Sequence, residues 1–172
     1  VNNFICYSGT CQYNLRNDIL MSMTDQLLNF IYTEKVREDE GGTYGVYPMG
    51  QLIKYPTEKA VLQIFFNTAP DKQEKLIKII YDEAEAFAKN GPDEASLNKV
   101  KEYMLKKHSE DLKENGYWLN SIDEYLYTGI DPVKDYEQII NSITPKDVQQ
   151  FANELLKQKN QITVSMISPE KK

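Results

Sequence analysis

A single histidine and two cysteines stand among 172 residues, and that scarcity removes much site chemistry at the outset. One histidine cannot supply a two-histidine zinc site, and His108, in KKHSED, has no matching ligand four residues on. Cys6 and Cys11 are too few for a disulfide framework and lack a second pair for a zinc cluster, so they read as free thiols, with a local disulfide as the alternative. No apolar run approaches the roughly 20 residues of a membrane span. A net charge of -6, with lysines interleaved among acids along apparent helices, withholds the basic surface that phosphate recognition needs. The segment Gly41-Gly42-Thr43-Tyr44-Gly45 lacks the lysine and the strand-then-helix order of a phosphate loop, and no nucleophile elbow is present. There is no signal-peptide pattern and no methionine at Val1, which is the expectation for a fragment or a processed product.

What remains is ordinary globular material. With 41% hydrophobic and 27% charged residues, the chain suits one domain, residues 1–172, that buries about 70% of the surface its unfolded form exposes. Val1–Ser8 places Phe4 and Cys6 on one side and Ile5 and Tyr7 on the other, a strand that meets a turn at Gly9. From Asn14 to Glu38 the stripe Leu20, Met23, Leu27 and Ile31 predicts a long helix. Thr43–Tyr47 is strand-prone, with Pro48 and Gly50 limiting its length or placing it at an edge, and Gln51–Lys59 reads as a hairpin connection. Ala60–Asn67 is apolar on both faces, which predicts a central strand with layers on both sides or one open subunit contact.

Helical patterns then follow one another. Ala69-Pro70-Asp71 opens a helix that Asn90-Gly91-Pro92 stops. Asp93 caps the next, with stripe Leu97, Val100, Met104, His108 and Leu112, and a segment carrying Trp118, Leu119, Ile122, Tyr125 and Leu126 runs to Thr128-Gly129, as two helices or one kinked helix. Asp131-Pro132 starts a short helix through Tyr136, Ile139 and Ile140, and Thr144-Pro145 starts another that buries Val148, Phe151 and Leu155. Gln161–Ser168 alternates like a last strand, and residues 169–172 fray. Helices bunched after a hairpin predict an α+β fold, a mainly antiparallel sheet covered on one face by helices.

Candidate sites are few. His108 falls on a helix stripe, so a core or half-buried histidine is the simpler reading, and its neighbours Ser109 and Glu110 point to other faces and form no triad. The 12 tyrosines at helical spacing read as core with a wet hydroxyl. What stands out is the corner Lys35–Met49, KVREDEGGTYGVYPM, where the long helix stops at a diglycine suited to positive φ. Arg37 and Tyr44 lie seven residues apart on either side of it. The residues alone favour a structural corner, with Arg37 offsetting helix-end carbonyls and the acids Glu38, Asp39 and Glu40 while Tyr44 packs on the sheet.

VREDEGGTYGV resembles the arginine-to-tyrosine motif of the family of pitrilysin, insulin-degrading enzyme and mitochondrial processing peptidase. The resemblance continues through APDKQEKLIKIIYDEAEAFAKNGPDEASLNKVK and SITPKDVQQFANELLKQKNQITVSMISP. It implies an enzyme of repeated α+β domains that close as a clamshell around an unfolded peptide, with an inverted zinc motif, H-x-x-E-H, on one domain. That motif is absent from this chain. The resemblance therefore implies a non-catalytic domain of the C-terminal half, inactive alone, partnered by a zinc-bearing homologous domain in the same polypeptide or on another subunit. Zinc would be bound outside this chain, and Arg37 and Tyr44 would reach the substrate at the zinc site. The chain is shorter than a complete family domain, so its first portion is expected to lie in another segment. Bacterial relatives of this kind often work in the cell envelope, implying a periplasmic location with the cytoplasm as the alternative. The competing readings are a structural or assembly subunit of the same family without peptidase activity, and a peptide-binding module that works alone.

Overall fold

The computed structural model describes residues 1–40 and 45–167, and of residues 36–40 the backbone alone. Four strands form one antiparallel sheet in the order β2-β3-β1-β4, with β1 Asn2–Thr10, β2 Val46–Ile53, β3 Lys59–Asn67 and β4 Asn160–Met166. Helix α1, Leu15–Glu40, is followed after the hairpin by α2 Gln73–Asn90, α3 Glu94–Asp111, α4 Asn115–Thr128, α5 Tyr136–Ser142 and α6 Pro145–Leu156. A single 3-10 turn, Pro70–Lys72, leads into α2. The expected α+β architecture is present, with helices on one face of the sheet.

Alternation decides which residues face the helices. Ile5 and Tyr7 of β1 and Leu62, Ile64 and Phe66 of β3 point into the core, where Leu76, Ile80, Val100 and Val148 come from the covering helices. The opposite face is open: Phe65 is 40% exposed, stacks obliquely on Phe4, and sits between Tyr47 and Phe4 in the strand register. Strand β3 is internal as expected, but its layer is on one side only among the described residues, which leaves the open-face alternative.

Three boundaries differ from the sequence expectation. Strand β1 runs through Gly9 to Thr10 instead of turning there, because Gly9 lets Gln158 lie against the backbone, with a glycine-position Cβ only 2.4 Å from the Gln158 Nε2. The Gln158 amide in turn accepts from the Thr10 N–H and donates to the Thr10 carbonyl. Strand β2 runs Val46–Ile53, through Pro48 and Gly50, and the connection shortens to residues 54–58. Proline is tolerated there because β2 is an edge strand and its missing donor costs no ladder bond. The short helix begins at Tyr136, since the Asp131 carboxylate takes the N–H groups of Val133 and Lys134 into a turn. The other helix signals hold: Asp93 caps α3 through the Ser96 N–H, and Thr144 with Asp147 forms a capping box on α6.

Helix α1 organises the rest. Ile19, Leu20, Met21, Met23, Leu27 and Leu28 are all buried, so the helix is apolar around much of its circumference rather than along one stripe. It packs along β2 and against α2, α3 and α6, and at 26 residues it is about 39 Å long.

Candidate functional site

The corner singled out by sequence joins the C-terminal end of α1 to the start of β2. Arg37 lies in the last turns of α1, its side chain outside the described residues, and Tyr44 lies outside them as well. What the structure shows is how the two arms leading to the corner are held. On the helix arm, Tyr32 is fully buried and its hydroxyl donates to the Ile80 carbonyl at 3.2 Å. Burial pushes that phenol well above its usual range. On the strand arm, Val46 is buried opposite Phe66, and Tyr47 faces the open side opposite Phe65.

The arms are tied to each other further back. The backbone N–H of Gly50 donates to the Asp25 carboxylate at 3.0 Å, giving an edge-strand donor a partner on the helix. Met21 rides over the same glycine so closely that a Cβ there would lie 2.4 Å from its Sδ. Desolvation raises the Asp25 pKa to about 6, although the Gly50 and Gln26 N–H groups act in the opposite direction. From this tie the helix climbs twelve residues to Arg37, about 18 Å, while the strand runs back four residues to Val46, about 13 Å. The helix and the strand that lead to the corner thus share one tie, between Asp25 and Gly50.

At the other end of α1 a second group of polar residues gathers. Tyr13 Oη donates to Glu124 Oε1 at 3.0 Å, and Lys54 donates to the Thr128 carbonyl while lying over the Tyr13 and Tyr55 rings. Asp18 sits close by, and burial together with the Glu124 charge raises its pKa to about 6. Tyr13, Lys54, Tyr55, Glu124 and Thr128 border a cleft of about 370 Å³ between the β2 end and α4. Among the described residues no group of three histidine, cysteine or acidic side chains could hold a metal ion, so zinc has no fitting site among them. Cys6 and Cys11 are free thiols. His108 is 5% exposed, stacked on Tyr136 at 4.3 Å and within 3.2 Å of the Tyr117 hydroxyl, the environment of a core histidine.

The Asp25–Gly50 tie escapes a reading of the sequence because nothing in the spacing of a helical acid and a strand glycine marks them as partners. Glycine at an edge strand, after a proline, is the one available hint of a close approach.

The sequence model of the peptidase M16 inactive domain matches residues 2–104. No curated protein matches the chain. Among solved structures, the periplasmic protease PqqL from Escherichia coli superposes with a TM-score of 0.82 at 15% identity, covering 94% of this chain and 18% of that one. A protease from Helicobacter pylori gives 0.78 at 18% identity, covering 94% and 39%. A peptidase M16 inactive domain from Pseudomonas fluorescens gives 0.74 at 18% identity, covering 94% and 40%. The chain therefore spans about a fifth to two fifths of the length of these relatives, and at such identities they share its fold. Among the described residues no helix is long and apolar enough to cross a membrane.

Proposed function

Because the chain belongs to the family of peptidase M16 inactive domains, we propose that it is the substrate-positioning domain of a zinc endopeptidase and lends Arg37 and Tyr44 to a zinc site carried by another, homologous domain. The observation that supports this reading is the Asp25–Gly50 tie between α1 and β2, the two elements that lead to the corner. A corner that only closed a helix would not need both arms fixed to each other as well as to the core.

The roles follow from the two side chains. Arg37 offers a planar fork of donors, suited to the backbone carbonyls of an extended peptide. Tyr44 offers one neutral hydroxyl donor, which strengthens its bond to a carbonyl oxygen as negative charge develops there and is therefore worth more in the transition state than in the ground state. In this reading zinc and its water are supplied by the other domain, which carries the inverted motif H-x-x-E-H that this sequence lacks. Unfolded peptide is the substrate class, and the periplasm or cell envelope is the compartment that best suits the reading. The structural-subunit alternative has no use for a donor pair on a braced corner. In the full-length enzyme, Tyr44→Phe is expected to lower kcat by roughly ten- to a thousandfold with a much smaller change in KM, the signature of a donor used in the transition state. An unchanged kcat would refute the assignment.

A further inference from the structure

Helix α4 is attached to the body differently from the other long helices. Leu76 and Ile80 of α2, Val100 and Met104 of α3, and Val148 and Leu155 of α6 enter the apolar core, whereas no side chain of α4 belongs to it. Its apolar residues Trp118, Leu119, Ile122, Tyr125 and Leu126 form an outward stripe and are exposed. The inward side is held by a few separate contacts. Tyr13 Oη donates to Glu124 at 3.0 Å, Lys54 donates to the Thr128 carbonyl, the Tyr127 ring meets Tyr55 edge-on at 5.2 Å, and the Tyr117 hydroxyl lies 3.2 Å from His108 Nδ1. Ser121 and Thr128 are buried, but their hydroxyls donate to carbonyls of α4 itself, those of Tyr117 and Glu124. Clefts undercut the helix on both flanks, about 370 Å³ toward the end of β2 and about 410 Å³ toward the Pro132–Val133 turn. The two ends of the helix differ. Trp118 Nε1 donates to the Leu112 carbonyl at 2.9 Å and ties the first turn to the α3 joint. Beyond the last turn, Gly129 takes a positive φ with open space where a Cβ would stand.

We propose that α4 is an arm that swings away from the body about its α3 end, latched by Tyr13 and Lys54 and loosened when Asp18 carries charge beside Glu124. A helix with no core face opens at a lower free energy than the elements that supply the core. What opposes opening is the latch, and Tyr13 stands at its centre: its N–H donates to Glu58, its hydroxyl donates to Glu124, and Lys54 lies over its ring. Asp18 of α1 lies beside that hydroxyl and also acts on Tyr136 of α5, around which Asp111 and Tyr117 gather. Asp25 follows further along α1, and Arg16 is engaged by Asp147 at 3.1 Å. Three acids, Asp18, Glu58 and Glu124, thus meet one lysine at the latch. Burial and the Glu124 charge hold the Asp18 proton up to about pH 6. Opening takes Glu124 away and lets water reach Asp18, whose ordinary value is 3.8. The closed arm therefore binds the proton more tightly than the open one. Its advantage is full below about pH 4 and declines as pH rises through 6.

Amide hydrogen exchange of the 172-residue chain at pH 5 and pH 7.5, corrected for the intrinsic effect of pH on exchange, tests this. Residues 121–128 are expected to be at least about tenfold less protected than the buried turns of α2 at both pH values, because they exchange through an opening that leaves the core intact. Their protection should fall by up to about tenfold from pH 5 to pH 7.5, the ratio that linkage gives for a carboxyl at about 6 in the closed arm and 3.8 in the open one. Asp18→Asn should remove most of that fall. Glu124→Gln keeps an acceptor for the Tyr13 hydroxyl while removing the neighbouring charge, so it should shrink the fall and raise protection at pH 7.5. Protection of residues 121–128 equal to that of α2 would overturn the proposal, since the helix would then open only with the whole fold. So would protection that does not change with pH, or a fall that persists undiminished in both variants.

Discussion

Asp25 holds a proton more tightly in the folded chain, at a pKa of about 6, than in the unfolded one, near 3.8. Between those values the native state binds more protons than the unfolded state, so the contribution of this carboxyl to stability is full below about pH 4 and declines as pH rises through 6. The difference between the two states is worth at most about 3 kcal/mol. Asp18 adds a decline of the same sign, since its pKa is also raised to about 6 by burial and by Glu124. Urea unfolding of wild type and Asp25→Asn between pH 4 and 7 should therefore show a stability difference that moves in favour of the asparagine variant as pH increases. Asparagine keeps an acceptor for the Gly50 N–H and has no charge to desolvate. A constant difference across that range would show that Asp25 is not desolvated as the structure has it.

The Asp25–Gly50 tie between α1 and β2 is where the proposed site depends most directly on the fold. Gly50→Ala would push a methyl group against Met21, 2.4 Å from its Sδ and 3.3 Å from its carbonyl oxygen, so the helix or the Met21 side chain must shift. The expected cost is about 1–3 kcal/mol, measured by chemical denaturation. Adding Met21→Ala should return part of it, and simple additivity of the two losses would deny the contact. Much at this scale is legible in the sequence. The Asp93 and Thr144 caps, the stripe Leu97–Val100–Met104 and the alternation of β1 all depend on neighbours in sequence, and all are found in place. Strand β2 is longer than its residues suggest, because whether Pro48 can sit in a strand depends on the strand being at an edge, a property of the sheet and not of the segment. The burial of α1 around much of its circumference and the outward stripe of α4 are hidden for a similar reason: a period of 3.6 reveals that a face is apolar but not what covers it. Arg37 and Tyr44 become a candidate pair through family resemblance, since seven residues between two polar side chains carry no chemistry of their own.

Taken whole, the described residues form a sheet with helices on one face and two exposed apolar surfaces. One is the open sheet face with Tyr47, Met49, Ile162 and Val164 exposed, and the other is the outer side of α4. Among the described residues strand β4 is an edge with no charged residue in its seven positions, so it lacks the usual guard against further pairing. Exposed apolar surfaces of this kind are where other polypeptide packs. The most direct test of the central claim is reconstitution. The enzyme lacking residues 1–172 is assayed for peptide cleavage alone, with the wild-type 172-residue chain added, and with its Tyr44→Phe form added. The expected result is little cleavage alone, recovery with the wild-type chain, and a kcat at least about tenfold lower with Tyr44→Phe. Full cleavage without the chain, or equal recovery with both forms, would contradict the account.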